Sequence, residues 1–230
     1  MSFMITNQDT INQEKEIIIK LLKFYDDATY KGWSEKIIRN VRNYISRIIH
    51  KTEKEIFQIF LSHFPKDTTT KISLTKQAKL HASFIGFCYH FEIGTTVNPK
   101  KAFEYYIIAA EHGDGFALSQ IGGLSATQLE YNHTTSTKYI EYVHKSAKIG
   151  HPHGAYKMAI VTTGRLRAFW YLKAAEKNFP DGLTKAAQLY KTGEYVIKDV
   201  HRALRMALLV RRVMGEKNFS DGVWKKLFGE

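Results

Sequence analysis

Apolar residues recur along this chain at intervals of three and four, the spacing that lines one face of a helix. From about Asn12 to Thr29, Ile17, Ile18, Leu21, Leu22 and Tyr25 form one such face, and Gly32 interrupts it. Residues 1–11 carry no comparable pattern and read as a frayed or disordered N-terminus. Ser34 can cap a following segment with Ile37, Ile38, Val41, Tyr44, Ile45, Ile48 and Ile49. Thr52 and Glu55 form a capping box before Ile56, Phe57, Ile59, Phe60 and Phe64. Two further helices, or one bent helix, are therefore expected before Pro65, and Lys66 to Thr70 read as a polar loop. Residues 12–70 are together expected to be a helical extension or cap.

Beyond that loop the pattern repeats. In Lys101 to Gly122, the residues Ala102, Tyr105, Tyr106, Ala109 and Ala110 keep helical spacing. His112-Gly113 stops that helix, because glycine takes the left-handed C-cap conformation without a Cβ penalty. Asp114 can cap the next helix, which carries Ala117 and Ile121. Small residues opening the first helix of each copy align as His81, Ala117, Ala155, Gly182 and Gly222, at intervals of 36, 38, 27 and 40. Ala110, Ala147, Ala175 and Arg211 align in the second helix, at intervals of 37, 28 and 36. Two helices per unit at this period are the mark of an α-solenoid, whose units bury their faces only against neighbours.

The first unit carries Ile85-Gly86-Phe-Cys-Tyr89, a loop with Gly94, the helix just described and Ala109-Ala110-Glu-His-Gly113. This resembles the Sel-one-like repeat (SLR), a relative of the tetratricopeptide repeat, except that Glu92 stands where a glycine is usual. The second unit keeps Ala117, Gly122, Tyr142, Ala147 and Gly150, with Gln128 to Ser136 in place of the Gly-x-Gly loop. The third is shortened, with Ala155, Ala159 and Gly164 leading almost directly to Ala168, Trp170, Tyr171, Ala174 and Ala175. The fourth keeps Tyr190, Gly193 and Ala203. Unit boundaries fall at 78–116, 117–154, 155–181 and 182–221, with a capping helix at 222–230 that carries Trp224 and Phe228. Those two rings either close the last unit or mark a contact with another chain. The resemblance implies an all-α, right-handed α-solenoid of helix-turn-helix repeats. It also implies an adaptor or scaffold role in signalling or quality-control complexes, with a protein or peptide partner on the concave side. Exposed first-helix side chains expected there are His81, Phe84, Ser119, Lys157, Lys185 and Gln188.

Composition narrows the remaining chemistry. The chain is 44% apolar and 24% charged, as in folded proteins. Its single cysteine, Cys88, rules out an intramolecular disulfide framework. No secretory signal or apolar run of membrane-spanning length is visible, so a cytoplasmic location is expected. A net charge of +12 favours acidic partners, nucleic acid or an anionic membrane. Eight Lys or Arg residues against three acids lie between Lys198 and Lys226, and Arg205, Arg212 and Arg202 are candidates for one basic helix face. Nucleic-acid or acidic-surface binding through that face is the alternative function. Homo-oligomerisation is left open.

His151-Pro-His153, with His112 and His144 nearby, invites a metal reading, but solvated turn histidines are expected and no metal is assigned. Cys88 reads as a small buried hydrophobe, with His81 too far along the helix to activate it. Tyr105, Tyr106, Tyr142, Trp170 and Tyr171 read as packing residues and not as a stacking platform for bases. Gly122-Gly123 lacks the context of a phosphate loop. No catalytic constellation or cofactor motif is present, and a non-enzymatic interaction module is expected.

Overall fold

The computed structural model describes residues 7–31, 34–65, 76–127 and 134–214. The polar loop at 66–70, the segment replacing the second unit's loop up to His133, and the capping helix at 222–230 lie outside the described residues. So do Lys217, Lys225 and Lys226 of the basic segment. Among the described residues the chain forms eleven α-helices and one π-helical turn, with no strand.

The N-terminal part comprises α1 (Asn7–Lys31), α2 (Ser34–Tyr44) continued by a π-helical turn at Ile45–Ile49, and α3 (Glu53–His63). Residues 7–11 lie in α1, and Asp9 in its first turn complements the helix dipole. The capping box forms as the sequence indicated: Glu55 N donates to Thr52 Oγ1 at 3.2 Å and Thr52 N donates to Glu55 Oε2 at 2.7 Å. Then follow α4 (Lys76–Phe91), α5 (Pro99–Glu111), α6 (Gly115–Thr127), α7 (Thr134–Lys148), α8 (Pro152–Val161), α9 (Gly164–Glu176), α10 (Pro180–Thr192) and α11 (Val200–Met214).

These eight helices repeat in detail. The turn from a second helix into the next first helix closes on one hydrogen bond in three successive copies. Asp114 N donates to Ala109 O at 3.0 Å, His151 N to Ser146 O at 3.1 Å and Phe179 N to Ala174 O at 3.3 Å. The hairpin from first to second helix also recurs. Asn98 N donates to Tyr89 O and Asp199 N to Tyr190 O, both at 2.9 Å. The side chains of Asn98 and Asp199 then cap α5 and α11, accepting from Lys101 N and Arg202 N.

The hairpin loop needs two residues with positive φ. They are Glu92 (59°) and Gly94 (68°) in the first copy, and Gly193 (80°) and Tyr195 (60°) in the last. Each copy has kept one of the two glycines that this conformation favours and replaced the other, at a cost of about 1 kcal/mol for the side chain in the left-handed region. The shortened unit has no such loop: only Thr162 and Thr163 join α8 to α9.

Close approach sets the repeat register. A Cβ at Gly154 would collide with the Ser146 side chain and lie 2.7 Å from Ala147 N, and one at Gly182 would lie 2.6 Å from Ala174 Cβ and 2.9 Å from Ala175 N. Gly154, and not Ala155, is therefore the counterpart of Gly182. With Ala117, Gly154 and Gly182 as markers, the first helices recur at the same intervals, 37 and 28, as the second helices.

The chain divides into two compact units, Met1–Ala28 with Ser34–Ala117, and Thr29–Trp33 with Leu118–Glu230. In the first, the core gathers Ile18, Leu21, Leu22 and Tyr25 of α1 with Phe84, Ile85 and Phe87 of α4 and Tyr106 of α5. In the second, Val143, Ala147, Ala155, Met158, Ala174 and Phe179 form one cluster, and Ala175, Leu183, Ala186 and Val210 another.

Candidate partner-binding face

The face of α4 expected to meet a partner is already covered within the first unit. Tyr25 of α1 is fully buried, its ring edge-on to Phe84 at 5.2 Å, Phe87 at 5.3 Å and Phe116 at 5.9 Å. Its hydroxyl sits 3.2 Å from Ser83 Oγ and 3.3 Å from Ser83 O. Ser83 Oγ donates to Asp114 Oδ1 at 3.2 Å, and Ala117 N donates to the same oxygen at 2.7 Å. With the Ser83 proton committed to Asp114, Tyr25 is the donor, and a buried chain of polar groups ties α1 to α4 and to the start of α6. Burial pushes the Asp114 carboxyl up to about 6, against the pull of its N-cap hydrogen bond and of Lys79. On its other side α4 meets α3. His81 Nε2 lies 2.8 Å from Phe60 O, and burial pulls this imidazole down to about 4.

His81, Phe84 and Ser119 are thus buried, with 6%, 0% and 0% of their surface exposed, which corrects the expectation that they face solvent. For Phe84 and His81 the physical reason is that Tyr25 of α1 and Phe60 of α3 pack against them, whereas Ser119, on α6, is covered by His153. Tyr105 is half-buried, and Phe64 lies against its ring at 5.4 Å.

In the second unit the histidines of the turn before α8 are not solvated. His151 and His153 are buried, which overturns that reading. The closed turn and the close approach at Gly154 draw the start of α8 inward. The His153 ring nitrogen Nδ1 is 2.9 Å from Ser119 Oγ, and the His151 ring packs against Tyr30 at 4.7 Å. Burial pulls His151 down to about 3 and His153 well below its ordinary value, so both are neutral at pH 7. Among the described residues no group of three His, Cys, Asp or Glu comes together to hold a metal. Cys88 is buried and its thiol is pushed up, away from the reactive thiolate.

Lys157 lies beside these histidines, half-buried, and donates from Nζ to the Ser119 carbonyl at 2.7 Å. It stands three residues after Gly154, as Lys185 stands three after Gly182. Ile160 and Gln188 follow at six. Lys185 and Gln188 are exposed, and Ile160 has 53% of its surface in solvent. Nothing in the sequence marked Ile160; it becomes visible only once the register is set by Gly154.

On α11, Arg202, Arg205 and Arg212 are exposed. Arg202 is engaged: it pairs with Asp199 at 3.4 Å and stacks over Tyr190 at 5.5 Å. Leu208 and Leu209 on the same helix are exposed at 53% and 37%. No helix among the described residues is long and apolar enough to cross a membrane.

Stacked two-helix hairpins, closed by the same turn and capped in the same way, define a repeat protein of the α-solenoid class. Residues 82–114, 168–179 and 180–209 match the Sel1 repeat. The second unit lies outside these matches, in keeping with its thin motif. The solved structure of a Sel1 repeat protein from Oxalobacter formigenes is similar, with a TM-score of 0.55 and 22% identity, over 75% of this chain and 72% of that one. So is a protective antigen from uropathogenic Escherichia coli strains displaying an SLR fold, with a TM-score of 0.58 and 16% identity. That likeness covers 90% of this chain but 44% of the other. At these identities the likeness concerns the fold. No curated protein matches the chain. Proteins built from Sel1 repeats generally mediate protein–protein interaction, and the repeat is a non-catalytic scaffold type.

Proposed function

We propose that this chain is an adaptor, in a signalling or regulatory assembly, that holds a protein or peptide partner against α8 and α10. The observation that carries this reading is the equal register of Lys157 with Lys185 and of Ile160 with Gln188 on successive repeats. Repeated surface positions suit an extended partner, which meets the same side of each unit in turn. The equivalent side of α4 is filled by α1, so the partner is assigned to the later repeats. The test is a photo-crosslinking residue placed at Gln188 and, as a control, at Lys173 on the second helix α9. A crosslinked partner band from Gln188 and none from Lys173 supports the reading; the reverse pattern defeats it.

The exposed Arg205 and Arg212 on α11 favour a second reading, contact with a nucleic-acid backbone. Such binding is strongest at low salt. A labelled oligonucleotide that stays free at low ionic strength ends that reading.

A further inference from the structure

We propose that Lys157 and Lys185 form a cradle for the carboxylates of an acidic peptide. This rests on the α8–α10 reading above and names the chemistry of its partner. Lys157 is a cation without a counter-charge: among the described residues no carboxylate pairs with it, and its polar contact is the neutral Ser119 carbonyl. An ammonium has three N–H donors, and that carbonyl takes one of them. The charge of Lys157 bears on His151 and His153 and, with burial, holds both neutral. From α10, Lys185 and Asp181 stand one helical turn apart. Asp181 is half-buried and its carboxyl is pushed up by burial, so Lys185 is the exposed charge of that pair.

A half-buried cation lacking an acid is costly to the fold and well suited to an incoming anion, because the low local dielectric that penalises it strengthens the pairing. Lys157, with the exposed Lys185 at the same register on the next repeat, matches a chain that presents carboxylates at intervals. Ile160 and Gln188, one turn further along each helix, give that chain an apolar and an amide contact.

The probe is a fluorescein-labelled peptide of six glutamates with blocked termini, and six glutamines serve as control. Fluorescence anisotropy with the full chain is expected to show saturable binding of the glutamate peptide and none of the glutamine one. Lys157→Met and Lys185→Gln should each weaken it tenfold or more, while Arg205→Gln with Arg212→Gln leaves it unchanged. Burial pulls the Lys157 ammonium down to about 8. Binding that needs the charged form therefore weakens about tenfold between pH 7 and pH 9 in the wild type and stays flat in Lys157→Met. A melting curve confirms that each variant is folded. The proposal is overturned if the glutamate peptide fails to bind, binds Lys157→Met and Lys185→Gln as well as wild type, or is lost only with the α11 variant. In any of those cases a Gln188 crosslink that persists leaves the α8–α10 reading standing, and its absence removes both.

Discussion

Replacing Lys157 with methionine should make the protein more stable at pH 7. The native side chain is half-buried and holds a positive charge against the Ser119 carbonyl, and among the described residues no acid pairs with it. Burial pulls the ammonium from its ordinary 10.5 down to about 8. That gap, at about 1.36 kcal/mol per pH unit, sets a ceiling of about 3 kcal/mol on the cost of the charge. Losing the hydrogen bond to Ser119 takes back about 1 kcal/mol, which leaves a net gain of about 2 kcal/mol for a side chain of similar length.

The sign with pH is definite. Below pH 8 lysine is charged in both the folded and the unfolded chain, so the cost is fully present. Between 8 and 10.5 the unfolded chain binds a proton that the folded chain does not, so wild-type stability rises relative to the variant and the gap closes. Urea denaturation of both proteins at pH 7 and pH 10, followed by circular dichroism, measures this. Equal slopes with a higher midpoint for Lys157→Met at pH 7, converging by pH 10, are expected. A variant that is less stable at pH 7, or a difference that does not change with pH, refutes the reasoning.

Gly154→Ala places a Cβ against Ser146 and Ala147 and should cost about 1–3 kcal/mol by overpacking, measured by chemical denaturation, whereas Ala155→Gly leaves the close approach intact. Glu92→Gly removes a side chain from a position with φ 59° and should raise stability by about 0.5–1 kcal/mol, seen as a higher melting temperature. Lowering the pH from 6.5 towards 4 should destabilise the fold, because His81, His151 and His153 stay neutral when folded and take up protons when unfolded. His151→Phe should shallow that slope in denaturation midpoints taken across the range. Asp114 works in the opposite sense between about 6 and 3.8, since its folded form holds its proton more tightly.

The helices and their pairing were legible because the signals are local: alanine and tyrosine spacing, the Gly113 stop, and the Thr52–Glu55 box. The destination of α1 was not. Its stripe of Ile18, Leu21, Leu22 and Tyr25 announces a buried face, but local spacing does not say that the face lands on α4, where Tyr25 covers Phe84. The one-residue slip at Ala155 has the same origin: alanine and glycine are both small, and only the approach of Ser146 and Ala147 distinguishes them. His151 and His153 sat in a turn, where histidine is usually wet, and the inward draw of α8 is a tertiary effect. The loop glycines were recognised as a motif, yet the positive φ retained at Glu92 and Tyr195 leaves no trace in the residue types themselves.

The central claim is that the partner lies on α8 and α10. Quantitative affinity capture from a native lysate, read by mass spectrometry, tests it by comparing the wild type with two charge-reversed proteins, Lys185→Glu with Gln188→Glu and Arg205→Glu with Arg212→Glu. Loss of the principal partner from the first and its full retention by the second is the expected result. Full retention by the first with loss from the second would move the site to α11 and contradict the account.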